Sequence, residues 1–287
     1  MNKSLKEFIV LIFLCLLVIN IYSQEGEYRI YSFKKIGEIK EGFSTEESNY
    51  FWRIQDFCCD DENNLYIADI GWNKIFKFDS NGQFIKSFGR KSQGPGEFGG
   101  RGLRISFGND GYIYVFDRGN SRLSVFSKKG KYIKSFPLPQ YLYDDKAQVN
   151  SKGDIYLVST SGEKVIDCFD KNFKLKNSFL DIERHFEYPF LKPNFKRQSS
   201  SASRKEILRR ITYYELNKVI TKKDHLIASS NYSLTVFHFD ENNKLVNEFK
   251  IENRIFMNDF KKRIKSSVEE VGFVLPCRMS LDDKENL

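Results

Sequence analysis

Several groups of residues in this 287-residue chain have types and spacings that suit chemistry. Gly94, Gly96 and Gly99, within GRKSQGPGEFGG (89–100), spell G-x-G-x-x-G. With that spacing, a loop ahead of a helix cradles a dinucleotide pyrophosphate. Asp60, Asp61 and Glu62 stand beside Asn63 and Asn64, a run of oxygen donors of the kind that binds Ca²⁺. The three histidines, His185, His225 and His238, form no H-x-x-H or HExxH pair. A G-x-S-x-G nucleophile elbow is also missing. Of the five cysteines, Cys15 lies in an apolar N-terminal run. Cys58, Cys59, Cys168 and Cys277 show no C-x-x-C spacing and are expected to be small buried residues.

What these residues can do depends on the elements that hold them. Four segments repeat: 64–88, 112–136, 154–179 and 225–249. A first anchor holds Tyr66, Tyr114, Tyr156 and Ile227, a second Phe78, Phe126, Phe169 and Phe239, a third Phe88, Phe136, Phe179 and Phe249. The first step is 12, 12, 13 and 12 residues, and the second is 10 in every copy. Within each unit, alternating runs such as KIFKF and RLSVF lead through turns (DSNG, SKKG) into QFIKSF and KYIKSF, the pattern of hairpins. A further strand precedes each unit: WRIQDFC (52–58), LRISF (103–107), AQV (147–149) and YYELNKVI (213–220). Four short antiparallel strands recurring every 42 or 48 residues make an all-β chain of β-propeller blades.

Seen in this frame, GRKSQGPGEFGG joins Phe88, which closes one blade, to LRISF, which opens the next. No helix follows it, and Pro95 lacks an N–H that a phosphate would use. It reads as a connector between blades. The Asp60–Glu62 run falls where the other copies have turns and reads as a solvated hairpin.

The second unit, DRGNSRLSVFSKKGKYIKSF, resembles the NHL-repeat blade through Asp117, Gly119, Asn120, Arg122 and Phe126. Asp69, Gly71 and Phe78 match in the first unit, where Lys74 and Trp72 replace the Arg and Asn. GRKSQGPGEF resembles the connector of bacterial exported six-bladed propellers. The resemblance covers roughly residues 50–250 by the repeat and implies six four-stranded blades. About four, with part of a fifth, are expected here. The end LPCRMSLDDKENL resembles the approach to a blade, CCDDENNL (58–65), so the chain reads as C-terminally truncated.

The first 23 residues, weakly basic and then apolar up to Tyr22-Ser23, have the pattern of a secretory signal peptide. The propeller is then expected over 24–287, with no stable membrane span after cleavage. YRIYSFKKIGEI (28–39) is strand-like and could complete the last blade. A basic, Ser-rich insertion occupies 181–211, and 258–272 has the periodicity of an amphipathic helix. A net charge of +8 favours an anionic partner. For an exported chain, that means a glycan, peptide or protein ligand in preference to nucleic acid.

In a four-stranded meander, the loops between the second and third strands share a face with the connectors between blades. Trp72, Arg90, Lys91, Gln93, Glu97, Arg118 and Asn120 fall there and are the candidate ligand-binding residues, with Trp72 as a stacking platform. No catalytic residue, metal ligand or cofactor is assigned. The expected function is an exported, non-enzymatic binding or scaffold propeller. The alternative is a metal-dependent propeller enzyme, lactonase- or lyase-like, with ligands partly in missing blades.

Overall fold

A computed structural model describes residues 50–142, 146–160, 164–181, 216–230 and 235–250. The expected signal peptide, the 28–39 strand, the 258–272 helix, Cys277 and all but the first residue of the 181–211 insertion lie outside the described residues. The fold is all-β, built of four-stranded antiparallel blades of the β-propeller kind. The first blade is β1 (Ile54–Cys59), β2 (Leu65–Asp69), β3 (Lys74–Phe78) and β4 (Phe84–Phe88). The second is β5 (Leu103–Phe107), β6 (Tyr112–Asp117), β7 (Arg122–Ser127) and β8 (Tyr132–Pro137). The third is β9 (Gln148–Val149), β10 (Ile155–Val158), β11 (Lys164–Phe169) and β12 (Leu175–Asp181). The fourth is β13 (Leu216–Ile220), β14 (Leu226–Ser230), β15 (Thr235–Phe239) and β16 (Leu245–Lys250). Every sheet follows chain order. The chain divides into two compact units: one runs to Leu157 and includes Phe169–Lys174, the other holds Val158–Cys168 and the residues from Leu175 on.

The repeat anchors are core positions. Tyr66, Tyr114, Tyr156 and Ile227 are all buried, as are Phe78, Phe126, Phe169 and Phe239. The pleat sends alternate side chains to opposite faces of each sheet. In the first blade, Tyr66, Ala68 and Ile75 pack with Leu103, Ile105, Ile113, Val115 and Phe126 of the second. Leu65, Ile67, Phe76 and Phe78 form a separate cluster with Phe51, Trp72 and Phe84. Register shifts fall at Lys77/Phe78, Val125/Phe126 and His238/Phe239, where the third strand pairs with the fourth. A bulge at that point re-aims the next side chain, and in each case it is the second anchor.

The turns between first and second strands hold buried polar pairs. Tyr66 Oη donates to Asp60 Oδ2 at 3.0 Å, Tyr114 Oη donates to Asp110 Oδ2 at 2.6 Å, and Asn150 Nδ2 donates to Tyr156 Oη at 3.4 Å. Burial, reinforced by the carboxylates, pushes Tyr66 and Tyr114 well above their ordinary range. The expected solvated hairpin at Asp60–Glu62 is corrected in part, because Asp60 is buried within its own turn. Asp61 and Glu62 instead pair with Lys128 of the second blade, the latter at 3.2 Å. Cys168 is buried as expected, but Cys59 is exposed.

Asp60 predicts an acid-sensitive joint. Burial works against its charge, but hydrogen bonds from Asn64, Tyr66 and the Glu62 N–H outweigh burial and hold the carboxyl below its ordinary 3.8. A lowered folded-state value means that the ionised group stabilises the fold above the unfolded value, and that this is lost as pH falls through the folded one. Urea unfolding of wild type and Asp60→Asn should therefore differ at about pH 7 and converge below about pH 3. A difference independent of pH would contradict this role.

Candidate functional site

Asp69 and Asp117, each the last residue of its blade's second strand, organise the loop face of the first two blades. Both are buried. Asp69 accepts main-chain N–H bonds from Trp52 (2.7 Å), Arg53 (3.0 Å), Gly71 (2.8 Å) and Trp72 (3.2 Å). Asp117 accepts from Gly99 N (3.1 Å), Asn120 N (3.3 Å) and Asn120 Nδ2 (2.9 Å). Each carboxylate thereby ties the loop that follows its strand to the segment entering the blade. Burial pushes the Asp117 carboxyl up, opposed by these bonds and by Arg122.

Arg122 fixes the connector itself. Its Nη1 donates to Gln93 O (3.0 Å), and its Nη2 donates to Gly94 O and Glu97 O, both at 2.6 Å. Glu97 closes the same turn from the other side: Oε2 accepts from Gly94 N (2.6 Å) and Oε1 accepts from Arg90 Nε (2.5 Å). The bond from Arg90, then that from the Gly94 N–H, holds Glu97 below its ordinary value. Phe98 turns inward, fully buried, and packs on Phe126 with ring centroids 5.9 Å apart. Beyond it, Gly99 lies back to back with Gly119, where a Cβ would stand 2.4 Å from the Gly119 carbonyl carbon. Only two glycines let the connector and the loop come so close.

Of the seven sequence-predicted residues, Arg90, Gln93, Glu97 and Asn120 are gathered at the connector by hydrogen bonds, and the seven differ in task. Asn120 Nδ2 also donates to Ser92 O (2.9 Å), so it is spent on the connector, as are Glu97 and its partner Arg90. Trp72 occupies the place of Asn120 in the first blade and makes the corresponding bond, Nε1 to Tyr50 O at 3.1 Å. It is half-buried over the Leu65/Ile67/Phe76/Phe78 cluster. Trp72 is thus a clamp first, and the ring it presents is shared with its neighbours. Lys91, Gln93 and Arg118 have exposed side chains on the rim.

Sequence reading missed the most exposed large apolar side chain among the described residues. Trp52 is 63 % exposed and Tyr50 47 %. Both rings meet Trp72 edge-on, at 5.6 Å and 5.5 Å between centroids. Trp52 lies flat over Gly71, where a Cβ would come within 2.7 Å of its Cγ. WRIQDFC was expected to pair from residue 52, but β1 begins at Ile54 because Asp69 takes the N–H groups of Trp52 and Arg53. Asn73, buried beside Gly100 on the same face, keeps a side-chain oxygen without a hydrogen-bond partner.

No family model and no curated protein matches the chain. Solved structures are similar to parts of it. A Bacteroides fragilis protein assigned as exported is 15 % identical with a TM-score of 0.49, covering 77 % of this chain and 59 % of that one. A DUF4221-family member from Bacteroides vulgatus is 13 % identical (TM-score 0.47; 76 % and 66 % covered). Virginiamycin B lyase from Staphylococcus aureus is 13 % identical (TM-score 0.44; 77 % and 61 %). The chain therefore spans about three fifths to two thirds of the length of these proteins. At such identities the likeness concerns architecture alone. Among the described residues, no group of three or more His, Cys, Asp or Glu is placed to hold a metal, and no helix is long and apolar enough to cross a membrane.

Proposed function

We propose that the chain belongs to an exported, non-enzymatic propeller of the NHL-like six-bladed kind. It would recognise an envelope or extracellular ligand, a glycan or a peptide segment of a protein, on the loop face of its first two blades. The observation that carries this reading is the exposed Trp52–Tyr50 pair, braced by Trp72 and by main-chain bonds to the buried Asp69. Rigid aromatic rings give contact area at little entropic cost and stack on sugar faces or peptide planes. Arg53, Lys91 and Arg101 are exposed, and the chain's charge of +8 favours an anionic ligand. Export rests on the pattern of residues 1–23.

Trp52 and Trp72 are the only two tryptophans, so intrinsic fluorescence reports on this face alone. Titration with a polyanionic glycan, polygalacturonate, should give a saturable change in emission, with neutral dextran as control. Trp52→Ala should weaken binding at least about tenfold, a loss on the scale of an interface hot spot. Its melting temperature should stay near wild type, because the ring is exposed. No saturable change with the glycan or with an acidic peptide would remove the binding reading. Formation of an unsaturated cleavage product would replace it with a lyase.

A further inference from the structure

His225 and His238, thirteen residues apart, meet on the fourth blade. Ile227 of β14 pairs with His238 of β15, and His225 lies two residues before Ile227. Both imidazoles therefore rise from one face of the hairpin, at the end carrying the turns between first and second and between third and fourth strands. His225 Nδ1 and His238 Nε2 are 2.9 Å apart, with ring centroids at 5.1 Å. The His225 backbone is pinned, its N–H donating to Thr221 Oγ1 (3.1 Å) and its carbonyl accepting from Thr221 N (2.9 Å). Both rings are part-exposed and open to an ion from solution.

The geometry points to a two-histidine site for a divalent transition metal of the Cu²⁺ or Ni²⁺ class. Two nitrogens bound to one ion at ~2.0–2.1 Å lie roughly 2.9 Å apart at 90°, and roughly 3.4 Å apart at a tetrahedral angle. The two ring nitrogens, 2.9 Å apart as a hydrogen-bonded pair, are close enough for one ion to take the place of the shared proton, at the spacing of adjacent corners of the tetragonal centres those ions prefer. A second feature points the same way. His225 Nε2 lies 3.3 Å from Glu241 Oε2. A carboxylate on the far nitrogen of an imidazole fixes the proton there and leaves the near nitrogen, Nδ1, with its lone pair aimed at the ion. Glu241 Oε1 also accepts from Asn242 Nδ2 at 3.4 Å, which steadies the carboxylate. Without metal, His238 Nε2–H donates to His225 Nδ1. On binding, His238 moves its proton to Nδ1 and both near nitrogens face the ion. Asp240 next to the pair adds negative charge that favours a cation. With two protein ligands, water would complete the coordination.

Isothermal titration of the full chain with Ni²⁺ is the test. Wild type should show one saturable site, lost in His238→Gln and weakened about tenfold in Glu241→Gln, the usual effect of removing a carboxylate behind a ligating histidine. His185→Gln should bind like wild type. Cu²⁺ added to wild type should give an electron paramagnetic resonance spectrum with two imidazole nitrogens, and to His238→Gln a spectrum with one. Thermal melts of each variant check the fold, and Glu241→Gln, at an exposed position, keeps the test open if His238→Gln unfolds. Absence of saturable Ni²⁺ uptake in wild type would overturn the site, as would undiminished uptake in His225→Gln/His238→Gln.

Discussion

Replacing Phe98 by alanine should destabilise the protein by about 3–5 kcal/mol, the range for truncating a fully buried phenylalanine. The ring has no solvent exposure and belongs to the cluster shared by the first two blades, with Tyr66, Ile75, Leu103, Ile105 and Phe126. It enters that cluster from the connector, not from a strand. Its loss therefore leaves a cavity between blades and also frees the segment that supports the loop face. Phe98→Leu keeps most of the volume and should cost about 1–2 kcal/mol. Thermal and urea unfolding measure both. If Phe98→Ala melts like wild type, the connector is not wedged between the blades.

Removing the carboxylate of Asp117 should cost about 3 kcal/mol as Asp117→Ala, because Gly99 N, Asn120 N and Asn120 Nδ2 are then left in a buried site without their acceptor. Glycan binding at the loop face should fall with it, since Asp117 sets the position of the 118–121 loop against the connector. Asp117→Asn keeps one acceptor oxygen and should cost less. The sign of the pH effect sets Asp117 apart from Asp60. Burial raises the Asp117 carboxyl above its ordinary 3.8. Its contribution to stability is therefore complete below the unfolded value and declines as pH rises through the folded one. Wild type should lose ground to Asp117→Asn on going from about pH 3 to about pH 7, the reverse of the trend for Asp60. Parallel unfolding curves across that range would show that burial does not penalise the ionised carboxylate.

The repeat was legible because a blade packs its side chains at a fixed spacing. The first two anchors of every copy are buried, and every strand found starts within two residues of its alternating run where the chain is described. The connector was legible for a similar reason. A G-P-G-E-F stretch between two alternating runs has no helix to serve, and the structure uses Gly94 and Glu97 to close the turn and Phe98 to wedge it. The D-x-G-N-x-R match was legible as a pattern only. Its meaning, a buried Asp and an Arg that gather the N–H and C=O groups of the connector, needed the contacts between Arg122 and residues 93–97.

The candidate site divides along the same line. Sequence placed Trp72, Arg90, Lys91, Gln93, Glu97, Arg118 and Asn120 on one face, because strand order determines which loops share an end of a meander. Which of them face solvent depends on side-chain hydrogen bonds over 17 to 29 residues of separation, and these leave no periodic trace. Asn120 and Glu97 are consumed by the connector, Trp72 by the Tyr50 carbonyl, and Trp52, two residues ahead of β1, is left outside. The pairing of His225 with His238 has the same origin. Local sequence shows two histidines on separate strands, and only the register of β14 against β15 sets their nitrogens 2.9 Å apart. Spacing along the chain determined the blades, because backbone pairing and hydrophobic alternation are local rules. Tertiary structure alone decided which polar and aromatic groups are free to bind, because burial and partnership are set by residues far away in the chain.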